Sequence, residues 1–177
     1  MKRKFNNPAM QNEVTFIQFA CESDEKVTII ENVLQAGGKN QLHCHNTYSE
    51  TFTAIEGELG LKVGKKKEIR ILKPGESFTL SPKMPHCFFN PGKEAIRFRS
   101  KTAPGHGGFE MSIMIGFGLN ADRIFKKNLI RNLSIILSIS EVSIPGALSI
   151  FEPVWKCIAY LSKSYEKALV KKYCTQS

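Results

Sequence analysis

Hydrophobic and polar positions alternate in short runs over the first two thirds of the chain, and the period lengthens after that. Residues 14–19 (VTFIQF) and 27–33 (VTIIENV) are rich in β-branched and aromatic side chains, with the polar residues 22–26 between them. That pattern predicts two strands joined by a turn. Gly37-Gly38 precedes a run from Gln41 to His45, and Thr51 to Ile55 reverses at Glu56-Gly57-Glu58 into residues 59–63. Further runs cover 69–72, 77–80, 86–90, 95–99 and 109–115, broken by Gly64, Pro74-Gly75, Pro91-Gly92 and the stretch 103–108. Short strands punctuated in this way predict an all-β sandwich or barrel. A βαβ plan is disfavoured, because no long helical pattern interrupts the series.

Near Phe117 the period becomes helical. Phe125, Leu129, Leu133 and Ile136 fall on one face, with Lys126, Lys127 and Arg131 away from it and Asn120 or Asp122 placed to cap. Pro145-Gly146 interrupts, and a second stripe follows at Leu148, Phe151, Trp155, Ile158, Tyr165, Leu169 and Tyr173, with Pro153 near a helix start. The chain therefore divides into a β domain at 1–117 and a C-terminal helical extension at 118–177, its stripes packed on the outside of the β domain or on a partner subunit. Glu141, Glu152 and Lys156 break up the greasiest stretch, which disfavours a membrane span. Association with a membrane surface is disfavoured but stays open.

Composition changes this picture in two respects. The formal net charge of +9 raises the question of a nucleic-acid partner, but much of the excess lies in the ends and no recognition motif accompanies it, so none is expected. The five cysteines are scattered and form no CxxC pair, which points to free thiols in a reducing compartment rather than to disulfides or a structural zinc site. No apolar stretch follows the basic start, so the expected location is the cytoplasm. Dinucleotide and ATP fingerprints are missing.

The chemistry lies in the histidines. His43 and His45 alternate on one strand and leave the same face, while Cys44 leaves the other. Glu50 opens the next strand and shares its face with Phe52 and Ala54; His86 opens a later strand and shares its face with Phe88 and Asn90. If the fold brings these segments together, three imidazoles and one carboxylate converge. Such a set suits one Mn, Fe, Co, Ni or Zn ion, and disfavours Mg and Ca, which want mostly oxygen.

Their spacing resembles the cupin superfamily. Its first motif runs from a glycine over five residues to His-x-His, then over three or four to Glu, then over six to a glycine; here these are Gly37, His43-Cys44-His45, Glu50 and Gly57. Its second runs from a glycine to a histidine eleven positions on and an asparagine four later; here Gly75, His86 and Asn90. The chain departs at Ser81 and Lys83, where the family has proline and glycine, and its prolines stand at Pro82 and Pro85. The resemblance spans about residues 27–115. It implies a double-stranded β-helix, a jelly-roll barrel, with the C-terminal α-helices packed outside. It also implies His43, His45, Glu50 and His86 as ligands of one divalent transition metal per chain, and Asn90 near the mouth.

Such a protein is expected to be a metal-dependent, dioxygenase-like enzyme on a small organic molecule; the alternatives are a non-catalytic ligand-binding or sensor module, an interaction protein, or an isomerase or lyase. A homodimer is expected. No catalytic residue is assigned. Arg97 and Arg99 clamp an anionic substrate if they face inward and are solvated if outward. Tyr48, near the ligands, either donates a proton or hydrogen bond or stands at the rim; Glu56 and Glu58 are exposed; and His106, in a glycine-rich loop, either covers the mouth or is exposed and idle. Cys44 and Cys87 neighbour ligands but point away from them. Gly57 and Gly75 serve turns.

Overall fold

The computed structural model describes residues 2–22, 24 and 26–175; Ser23 and Glu25 of the polar turn between the first two expected strands lie outside them. Alternation produces the expected ladder. A six-stranded antiparallel sheet has the order β1-β2-β3-β10-β5-β8, from β1 (Lys4–Asn7), β2 (Asn12–Gln18), β3 (Thr28–Leu34), β5 (Ser49–Glu56), β8 (Ser77–Leu80) and β10 (Ile96–Ala103). Facing it is a three-stranded sheet, β7-β6-β9, made of β6 (Leu59–Val63), β7 (Glu68–Leu72) and β9 (His86–Phe89). The two-residue strand β4 (Cys44–His45) pairs with β11 (Val142–Ser143) from the C-terminal part.

The sheets do not join into one closed barrel, and the chain is 35% helical, so the all-β expectation holds only in its coarser form, a β-rich jelly-roll framework. The reason lies in what covers the large sheet. Leu34, Phe52, Ala54, Ile96 and Phe98 of the six-stranded sheet pack against Leu59, Leu61, Val63 and Phe88 of the small one. The β1–β3 end has no opposing strand. There Phe5, Val14, Phe16 and Ile30 pack on Phe109, Met114, Ile115, Phe117 and Leu119 of a helix.

That helix, α1 (Gly107–Ala121), corrects the strand expected at 109–115. The segment is apolar nearly all round and buried on several sides, so neither a period of two nor one of 3.6 stands out, and a short apolar run does not reveal its own type. Two polar devices fix it as a helix. His106 caps its N-terminus, accepting from the Phe109 N–H on Nδ1 at 3.0 Å. Glu110 in the first turn accepts from the Ala20 N–H (2.7 Å) and the Thr28 hydroxyl (2.6 Å), tying the helix to β3.

The remaining helices are α2 (Leu129–Ser140), α3 (Glu152–Leu161) and α4 (Lys163–Tyr173). Pro153 stands in the first turn of α3 as expected. Asp122 ends α1 rather than capping a later helix, and Asn128 at the start of α2 makes no side-chain cap. The second stripe is two helices, broken at Ser162. Two glycines are demanded by geometry. Gly57 has φ +73° and a methyl there would collide with Ile96, while Gly118 lets Tyr173 of α4 lie directly on α1. Among the described residues, no helix is long and apolar enough to cross a membrane.

Candidate metal centre

The two sheets meet at four side chains. Backbone bonds run both ways between His43 and His86, at 3.0 and 2.8 Å, so these residues sit directly opposite and their imidazoles leave on the same side. His45 follows two residues on, and Glu50 reaches across from β5, where it pairs with Thr102 and Leu80. The ligand atoms of His43, His45, Glu50 and His86 all lie within 4.8 Å of one another. His45, Glu50 and His86 are buried and His43 is half-buried. Donors on opposite sides of one ion lie roughly 4 Å apart when each bond is about 2.1 Å, so the cluster already has nearly that size.

Proton placement supports the fit. Nδ1 of His43 is 2.8 Å from the Gln41 carbonyl, and Nδ1 of His86 is 2.9 Å from that of Met84. A carbonyl only accepts, so each Nδ1 carries the ring proton and the Nε2 lone pair faces the cluster. At His86 this lone pair stands 3.3 Å from Glu50 Oε2, which also lies 2.9 Å from His45 Nε2. A lone pair opposite a carboxylate oxygen is a mismatch that a cation between them removes. Burial by itself would raise the Glu50 pKa, but hydrogen bonding, from His45 first, outweighs it and holds the carboxyl ionised, well below the usual range. Desolvation above all draws His43 down to about 3, so it stands as a neutral donor. The group thus offers three imidazole nitrogens and one anionic oxygen, the set that a divalent transition metal favours.

Below the cluster lies a closed aromatic floor. Phe52 meets His86, Phe88 and Phe98 at ring separations of 6.2, 5.9 and 5.9 Å, and Phe88 meets Phe98 at 5.0 Å. On its open side a chamber of about 110 Å³ is bounded by His43, Glu50, Phe88, Asn12, Asn32 and Ser100 together with Phe109, Ile113 and Phe117 of α1. It opens past Met10, Phe109, Ile113 and Phe117 into an apolar groove of about 550 Å³, walled by α1, α2 and residues 142–148.

Other expected roles change. Tyr48 is buried, not on the rim: it donates to the Ser140 carbonyl at 2.8 Å and stacks on His45 at 4.5 Å. Burial pushes its pKa up, so it stays a phenol. His106 is not idle, since it caps α1, stacks on Tyr48 and pairs with Glu141. Asn90 holds a turn, donating to the Leu34 and Glu94 carbonyls and accepting from the Gly92 N–H. Arg97 and Arg99 face outward, where Arg97 pairs with Glu31 and Glu56 and Arg99 with Glu31. Cys44 points away from the cluster, toward the Ser143 carbonyl. The residues that sequence reasoning missed are Asn12 and Asn32. Their only signal is parity, since they alternate in step with buried Val14 and Ile30.

Residues 31–100 match the family model described as "Cupin domain", a narrower span than the sequence resemblance suggested. No curated protein matches the chain. Among solved structures, the cupin domain of an XRE family transcriptional regulator from Enterobacter cloacae is 21% identical, with 52% of this chain and 95% of that one covered and a TM-score of 0.45. An RmlC-like cupin from Shewanella frigidimarina is 16% identical over 59% of this chain and 86% of its own, with a TM-score of 0.49. A conserved double-stranded β-helix protein from Klebsiella pneumoniae is 22% identical over 57% and 84%, with a TM-score of 0.48.

Proposed function

We propose that the cupin domain carried by residues 31–100 holds one divalent transition metal on His43, His45, Glu50 and His86, and that this centre serves an oxygenase-like reaction on a small organic molecule. The observation that carries the reading is the convergence within 4.8 Å of four donor atoms, Glu50 from the large sheet, His86 from the small one, His45 from β4 and His43 from the bridge beside it. When bound, an ion of the Mn, Fe, Co, Ni or Zn group supplies Lewis acidity, and Fe or Mn adds redox chemistry with dioxygen. The chain itself does the rest. The Gln41 and Met84 carbonyls orient two imidazoles, the ionised Glu50 anchors the cation, and the phenylalanine floor keeps bulk water out from below.

The chamber wall contains no titratable side chain besides the proposed ligands Glu50 and His43. Chemistry that needs a separate protein acid or base, as many isomerase and lyase reactions do, has no obvious agent there. The same observation favours a second reading, a module that binds its ligand at the metal without turning it over. Metal analysis of protein purified, stripped and reloaded tests the centre. One ion per chain is expected in the native protein and close to none in His86→Ala with its β-sheet circular dichroism intact; full retention in that variant defeats the assignment. Substrate-dependent oxygen uptake by iron-loaded protein, absent from stripped protein, selects the enzyme. Ligand binding without uptake selects the module.

A further inference from the structure

The inner face of the large sheet is mostly apolar, with Asn12, Thr28, Asn32, Glu50, Ser100 and Thr102 among its buried polar residues. Val14, Phe16, Ile30, Leu34, Phe52 and Phe98 are all buried there. Among them Asn12 is 2% exposed and Asn32 4%, and both line the chamber beside Glu50 and His43. Asn12 Nδ2 donates to Asn32 Oδ1 at 3.2 Å. That leaves Asn12 Oδ1 buried with no hydrogen-bond partner. A buried acceptor without a partner costs about 1–3 kcal/mol, and a site holding one discriminates strongly between ligands that can satisfy it and ligands that cannot.

Charge narrows the ligand further. Neither chamber nor groove is lined by lysine or arginine, and the two arginines of β10 are engaged with Glu31 and Glu56 outside. The protein therefore supplies no counter-ion for a phosphate or a second carboxylate. At about 110 Å³ the chamber has room for a few waters, each occupying about 30 Å³ in the liquid, or for one small head group, while the groove takes an apolar remainder.

Resting on the reading of the chamber as the ligand site, we propose that Asn12, steadied by Asn32, is its specificity-determining residue. It selects small, uncharged, largely apolar molecules that bring a hydrogen-bond donor, a hydroxyl above all, to the chamber wall opposite the histidines. The amide touches ligand and takes no part in holding metal, so the two readings fail separately.

The test uses the isosteric pair 4-fluorophenol and 4-fluorotoluene, titrated by fluorine NMR into zinc-loaded and into chelator-stripped protein, with metal content measured in every sample. The phenol is expected to bind about tenfold more tightly than its methyl analogue, the factor for about 1.4 kcal/mol. In stripped protein Asn12→Leu brings that ratio close to one, and Asn12→Asp, which keeps an acceptor, retains it. Asn12→Leu keeps its zinc. In native protein labelled with nitrogen-15, the Asn12 side-chain amide resonances shift with the phenol and not with the toluene, a readout that does not depend on the variant folding. Equal binding of the two probes, no binding of either, a preference that survives Asn12→Leu in stripped protein, or an unmoved Asn12 amide overturns the proposal. Loss of zinc from the native protein with the preference intact instead counts against the metal centre alone.

Discussion

Glu50 carries its charge at 5% exposure, where an unpaired carboxylate is costly, and the hydrogen bond from His45 at 2.9 Å is what the structure sets against it. Glu50→Gln keeps the shape and removes the anion, so affinity for the metal should fall at least tenfold, read by competition with a chelating dye. The floor makes a different prediction. Phe98 has no exposure and touches Phe52 and Phe88, so Phe98→Ala should lower the unfolding free energy by about 3–5 kcal/mol, measured with denaturant. Cys174 titrates in the alkaline range. Burial pushes its thiol up to about 11 from 9.0, so between these values the native state keeps a proton that the unfolded chain releases. Stability should accordingly fall as pH rises from 9 to 11, less steeply in Cys174→Ala. The proposed ligands were legible at this scale because a His-x-His alternation shows its face in the sequence. Asn12, Tyr48 and His106 were not, since each takes its meaning from a partner at least 20 residues away in sequence: Asn32, Ser140 and Glu141.

Secondary structure was legible wherever one face is wet. Strands β3 and β5 alternate buried with partly exposed positions, and their runs in the sequence show it. Helix α1 has its apolar residues spread around it and was read as a strand, because a segment enclosed by protein loses the solvent contrast that reveals a period. Strand β1 was missed for the opposite reason, its KFNN being short and mostly polar. Since α1 begins at a histidine cap, His106→Ala should cost about 1 kcal/mol and His106→Asn, an uncharged cap beside Glu141, should recover most of it, by thermal unfolding at pH 7.

Over the whole molecule, the helices act as the second layer for half of the large sheet, which is why no second set of strands closes over β1–β3. A chain ending at residue 128 would lose α2 and α4, whose Ile135 and Leu169 share a core with Phe16 and Ile115. It should bind a hydrophobic dye and melt at lower temperature than the full chain, with β-sheet signal retained. The net charge of +9 told little about the site, because much of its excess lies toward the ends of the chain while the chamber has no basic wall. One small feature joins the parts. His45 belongs to a two-residue strand whose ladder partner is β11, between α2 and α3, and the same residues 142–148 wall the groove. The bracket that steadies one imidazole is thus also a side of the entrance. If the proposed centre holds an ion and the groove a guest, any influence between them is mutual: the factor by which the guest would change the hold on the ion is the factor by which the ion would change the hold on the guest.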